Sequence, residues 1–142
     1  MQIKHHDPKV MALMQLETAL AVYFQGKDLY SVITLAGAAD EIFGRMLAAK
    51  GLENHLDTIK KSVAAIFFQT TGRSLEPARV ADRANRARNA LKHWNSREPA
   101  HIDFDAVEEA KDMLDRAISN YWTLEQALSP LMTRFQNEQF AA

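Results

Sequence analysis

LYSVITLAGAADEIFGRMLAAKG, Leu29 to Gly51, is the most hydrophobic stretch of the chain and decides its fold. No strand-like alternation competes with a helical reading. Asp28 in front of it and Gly51 behind it supply a helix N-cap and a helix stop. The stretch therefore predicts a buried, central helix. Two glycines interrupt it. Gly37 and Gly44 lie one heptad apart with Glu41 between them on the same face, and each interior glycine costs roughly 1 kcal/mol relative to alanine. Close approach of another helix along that seam is the expected compensation.

Upstream, Asp7 is a predicted N-cap, with Pro8 at the first helical position, where its missing N–H costs nothing. The helix they start runs to about Gln25 and stops at Gly26. Its apolar set (Val10, Leu13, Met14, Leu20, Val22 and Phe24 among others) is broad, so burial on more than one side is expected. Residues 1–6, MQIKHH, read as a flexible tail.

Downstream, a third helix begins at Asn54 or Asp57, carries the stripe Leu56, Ile59, Val63, Ile66 and Phe67, and ends at Thr70-Thr71-Gly72. The turn RSLEP leads into a fourth helix over Arg79 to Trp94, and Asn95 to Ala100 reads as a loop. Asp103 or Asp105 caps a fifth helix, where Asp105 with Glu108 approximates a capping box. Its core face is Val107, Ala110, Leu114, Ala117, Ile118, Tyr121 and Leu124. Ser129-Pro130 starts a short last helix with Leu131 and Phe135. There is no internal repeat and no low-complexity tract. The expected architecture is all-α: an up-down bundle of four to five helices with a short C-terminal extra, in one domain spanning 1–142.

A hydrophobic fraction of 47% and a charged fraction of 25% match a soluble globular protein. Cysteine is absent, which removes disulfides, thiolate metal sites and cysteine nucleophiles and fits a cytoplasmic setting. No secretory signal is read, and the longest clearly apolar uncharged run, Leu29 to Ala39, is too short to cross a bilayer. The net charge of -1 hides a segregation. From Arg73 to Arg97 seven basic residues face two acidic ones, and from Asp103 to Glu125 seven acidic residues face two basic ones. The basic stretch either binds a polyanion or is neutralised by the acidic one across a helix pair.

The sharpest chemistry lies in the fourth helix, RVADRANRARNALKHW. Val80, Ala84, Ala87, Leu91 and Trp94 recur at helical spacing as an apolar stripe. Opposite lie Asp82, Arg86, Asn89 and His93, with Asn85 beside them. Two Asn and a His are mediocre helix formers, so this ridge points to a phosphate, a partner subunit or both rather than to water alone.

Within it, Arg88-Asn89-Ala90-Leu91-Lys92-His93 sets an Arg, a polar residue, three more residues and a His. That is the signature of the HEPN superfamily, small all-α domains of which many are metal-independent ribonucleases. The chain also resembles that family in TLAGAADEIFGRMLAAKG, which looks like its second helix, with an acidic residue after a small-residue run. A long amphipathic helix follows the motif, again as in HEPN domains, and the resemblance covers roughly Asp28 to Leu124. It implies a homodimer whose two Arg-His sets share a cleft, RNA as substrate and no cofactor. Carried onto this chain, His93 would be the general base or acid or orient the 2′-hydroxyl, and Arg88 would hold the phosphate. Asn89 would position His93 or donate to the phosphate, and Glu41 or Asp40 would orient Arg88. Arg86 and Lys92 are the flanking substrate contacts. Such domains often pair with a nucleotidyltransferase-type antitoxin.

The residues alone leave alternatives open. Positions five apart on an ideal helix are displaced by about 140°, so convergence of Arg88 and His93 needs a distorted helix end, the reach of the Arg, or a second subunit. Arg86 shares the face of His93 and rivals Arg88 as phosphate ligand. Without catalysis, the same motif would serve a nucleotide-, RNA- or protein-binding module, or a polar network holding a structural homodimer. Trp94, Trp122 and Tyr121 either stack on bases or fill core and interface. His5-His6-Asp7 sits in the tail, His101-Ile102-Asp103 reads as loop and cap, and His55 as a first-turn surface residue. No metal site is expected. Glu-x-x-His motifs on each of two helices, a phosphate loop and a GxGxxG fingerprint are all missing, which excludes di-iron bundles and dedicated nucleotide-hydrolysing folds.

Overall fold

The computed structural model describes residues 1–140 and their side chains, except that of Phe140. Seven helices and no strand occur among the described residues: α1 (Pro8–Gln25), α2 (Leu29–Ala49), α3 (His55–Thr71), α4 (Pro77–Ala84), α5 (Arg86–Lys92), α6 (Ala106–Glu125) and α7 (Pro130–Phe140). The all-α class is as expected. The helix count exceeds four to five because the single helix foreseen over Arg79–Trp94 is two, α4 and α5, and because the C-terminal helix adds another.

The helix boundaries follow from local chemistry. Asp7 accepts from Lys9 N (2.9 Å), Asp28 from Ser31 N (3.0 Å) and Asn54 from Asp57 N (2.9 Å). Each side chain satisfies an N–H that has no partner inside its own helix. Gly26 and Gly72 end α1 and α3 at φ 68° and 71°, a conformation that strains any residue with a Cβ. Asp105, not Asp103, caps α6 by accepting from Val107 N and Glu108 N. Glu108 turns instead toward Lys111, 3.7 Å away.

α2 is the central helix. It packs between α1 and α6 and buries Val32, Ile33, Ala36, Phe43 and Leu47 against Leu16 and Leu20 of α1 and Met113, Leu114 and Ile118 of α6. Met132 and Phe135 of α7 close the core beside α1. Each such large side chain contributes about 1.5–3 kcal/mol on burial.

The break at Asn85 has a visible cause. In an unbroken helix the carbonyl of Ala84 would accept from Arg88 N. Here the guanidinium of Arg116, reaching across from α6, donates to it instead (Nη1 to O, 3.2 Å). A side chain inserted into the hydrogen-bond ladder bends a helix, and Asn85, at φ −103° and ψ 5°, absorbs the turn.

Two expected apolar faces are not buried. The α4–α5 stripe buries Val80 and Ala87, but Leu91 is exposed and Trp94 lies beyond the helix end at 68% exposure. α3 buries none of its residues despite its clean stripe. No helix among the described residues is long and apolar enough to cross a membrane.

Candidate functional site

Gly37 explains itself through Arg88. A Cβ on Gly37 would lie 2.5 Å from Arg88 Cδ and 2.8 Å from Cγ. The seam foreseen on α2 thus admits the aliphatic stem of one arginine at Gly37, while at Gly44 it faces Asn54 and Asn120. Arg88 is thereby held with its side chain only 13% exposed. Its Nη1 reaches Glu41 Oε2 only at 4.0 Å, the limit of an ion pair, while Glu41 already accepts from Arg45 Nη2 at 2.7 Å.

Beside this pair lies a network that sequence reasoning missed. Asp40, Arg116 and Asn120 are buried. Asp40 accepts from Arg116 Nη2 (2.8 Å) and Asn120 Nδ2 (2.9 Å), and Asn120 Oδ1 accepts from His55 N at the start of α3 (2.8 Å). Burial pushes the Asp40 carboxyl up, against the pull of the Arg116 and Arg88 guanidinia. Burial likewise pushes Arg116 down, against the pull of Asp40. His55 is therefore tied in by its backbone rather than being merely a surface residue.

These groups line an open cavity of about 220 Å³ between α2, α5, α6 and the start of α3, with Arg45, Arg88 and Arg116 facing Asp40 and Glu41. Two of the three guanidinia have a close carboxylate partner, and Arg88 does not. Four buried side-chain atoms among the described residues lack a hydrogen-bond partner. Three of them, Arg88 Nε, Arg116 Nε and Asn85 Oδ1, belong to residues lining this cavity. Unsatisfied buried polar groups are scarce in folded proteins, so their concentration here singles out the cavity as the candidate site.

The rest of the motif lies outside it. Asn89, Lys92 and His93 are exposed, as is Arg86. His93 is the C-cap of α5, where its N donates to Asn89 O at 2.9 Å. Arg86 borders a different hollow with Asp82, Arg83, Phe104 and Glu109. The structure brings Arg88, Glu41 and Asp40 together, and the cavity lined by Arg88 does not include His93.

Trp94 and Trp122 are exposed, while Tyr121 packs on Phe43 with ring centroids 5.5 Å apart. His5, His6 and His101 are exposed outside helices, and no group of three or more His, Cys, Asp or Glu among the described residues could hold a metal ion. Comparison with known proteins gives no match: no family model, no curated protein and no solved structure matches the chain.

Proposed function

We propose that this chain is a HEPN-like domain that binds RNA along α5 as a homodimer and cleaves it without a metal ion. The observation that supports it most is Arg88: stem lodged against Gly37, Nε without a partner among the described residues, and a guanidinium whose ion-pair contact, Glu41, is 4.0 Å away and already engaged by Arg45. A planar guanidinium held this way is prepared for a phosphate, which it meets with two parallel N–H donors. Arg86 and Lys92 on the exposed face extend the positive charge to neighbouring phosphates.

In the cleavage step, His93 of one copy takes the proton of a ribose 2′-hydroxyl as its oxygen bonds to the adjacent phosphorus. The bond from phosphorus to the 5′-oxygen breaks, and that oxygen takes a proton from solvent water as it leaves. The products are a 2′,3′-cyclic phosphate and a 5′-hydroxyl. Arg88 of the other copy stabilises the charge that grows on the phosphoryl oxygens, and Asn89 orients His93 or donates to the phosphate.

RNA incubated with the protein in excess chelator should yield cyclic phosphate ends. His93→Ala should abolish cleavage with an unchanged Tm, since the side chain is exposed. Arg88→Lys, which keeps the charge but not the fork, should weaken both binding and cleavage. A second reading, an RNA-binding module without catalysis, is favoured by the absence of His93 from the cavity that Arg88 lines. Salt-sensitive binding that His93→Ala leaves intact, with no cleavage by the parent protein, would decide for it.

A further inference from the structure

α4 and α5 follow one another in the chain but lean on different supports. α4 packs chiefly on α3, and α5 on α2. The change of neighbour falls at the break, Asn85.

Arg116 stands at that point and bonds to both sides of it. Its side chain, 3% exposed, donates from Nη1 to Ala84 O (3.2 Å) and from Nη2 to Asp40 Oδ2 (2.8 Å). A guanidinium is a rigid plane, so the two bonds hold the last residue of α4 at a set place against α2. Asp40 is itself steadied by Asn120 Nδ2 (2.9 Å). Gly37, which receives the stem of Arg88, lies three residues from Asp40 and so on the same face of α2. The anchor of the break and the slot for Arg88 are thus one helical turn apart.

Stability alone does not call for such a pair. Apolar side chains of similar volume in place of a buried ion pair are often neutral or stabilising. What they cannot do is take the carbonyl of Ala84 out of the helix ladder.

We infer that Arg116 is a positioning residue: by occupying Ala84 O it denies that acceptor to Arg88 N, breaks the helix, and turns α5 so that Arg88 enters the seam of α2. The consequence for RNA cleavage rests on the functional reading, whereas the consequence for the backbone does not.

Amide exchange followed by NMR reads the backbone. Asn89 N keeps its acceptor, Asn85 O, at 2.8 Å, while Arg88 N loses Ala84 O to Arg116, so Arg88 should exchange faster than Asn89 in the parent chain. Arg116→Lys keeps a positive charge opposite Asp40 but has no fork to span both acceptors. With Ala84 O free, Arg88 N should bond to it, and its exchange should slow roughly tenfold relative to Asn89. A role in stability alone would speed both amides and leave their ratio as it was. Should Arg116→Lys fail to fold, Asp40→Leu with Arg116→Met removes the pair without stranding a charge and should shift the ratio in the same way. RNA cleavage by Arg116→Lys should fall about tenfold or more, because Arg88 is misplaced. An unchanged exchange ratio in a folded variant would overturn the inference, as would undiminished cleavage by Arg116→Lys once Arg88 N has gained its bond. A parent chain that cleaves no RNA ends the functional reading, and the exchange ratio then decides the inference by itself.

Discussion

Gly37→Ala should reveal whether the central helix carries its glycine for the sake of Arg88. In a helix interior, glycine to alanine ordinarily stabilises by roughly 1 kcal/mol. Here the new methyl would meet Arg88 Cδ at 2.5 Å and Cγ at 2.8 Å. These are the middle of the side chain, not its free end, and they are pinned between α2 and α5. Overpacking of this kind costs about 1–3 kcal/mol, so the net change in the parent background is a loss of up to about 2 kcal/mol. Arg88→Ala removes the obstructing atoms, and in that background Gly37→Ala should recover its ordinary gain of roughly 1 kcal/mol. The four proteins form a double-mutant cycle with a coupling of about 1–3 kcal/mol. For a chain of this length each kcal/mol moves Tm by roughly 3–5 °C, so thermal melts resolve it. If Gly37→Ala raised Tm equally in both backgrounds, the account of Arg88 lodged in the seam would be wrong.

Two further outcomes follow from the buried network and the caps. Arg116→Ala should destabilise by about 3–5 kcal/mol, because it strands the buried carboxylate of Asp40; urea melts would show it, and a change under 1 kcal/mol (about the size of an exposed ion pair) would contradict the pairing. Asp28 caps α2, and its hydrogen bonds from the Ser31 hydroxyl and Ser31 N hold its carboxyl below the usual range. Its folded value thus lies below its unfolded one, so the ionised group stabilises above about pH 4 and loses that effect as pH falls further. Asp28→Ala should lower Tm at pH 7, and the gap should narrow below about pH 4; an equal gap at pH 3 and pH 7 would refute the assignment.

The parts of the fold legible in the sequence were those set by neighbouring residues. Asp7-Pro8, Asp28, Asn54, Asp105 and Ser129-Pro130 each act within three residues of themselves, and each starts a helix where expected. The seam at Gly37 and Gly44 was legible as a close approach, but not as one made by side chains of Arg88, Asn54 and Asn120. The break at Asn85 was illegible because its cause, Arg116, lies on another helix. Arg116 and Asn120 are polar and so fall outside the apolar stripe by which the core face of α6 is legible. A signal existed: Asp40 is a charge in the most hydrophobic helix, and a buried carboxylate demands polar partners. Arg116 and Asn120, one turn apart and level with the inward Met113 and Ala117, have the spacing to supply them. The resemblance sets His93 beside Arg88, and within one chain the break leaves the first exposed at a helix end and the second lodged in the bundle.

α3 is tied to α6 where His55 N meets Asn120, and none of its residues is buried. Its β-branched content (Thr58, Ile59, Val63, Ile66, Thr70 and Thr71) gives it little intrinsic helicity, and a lone helix of this length is marginal in water. The molecule should therefore unzip there first, its amides trading protons with solvent long before those of α2 or α6.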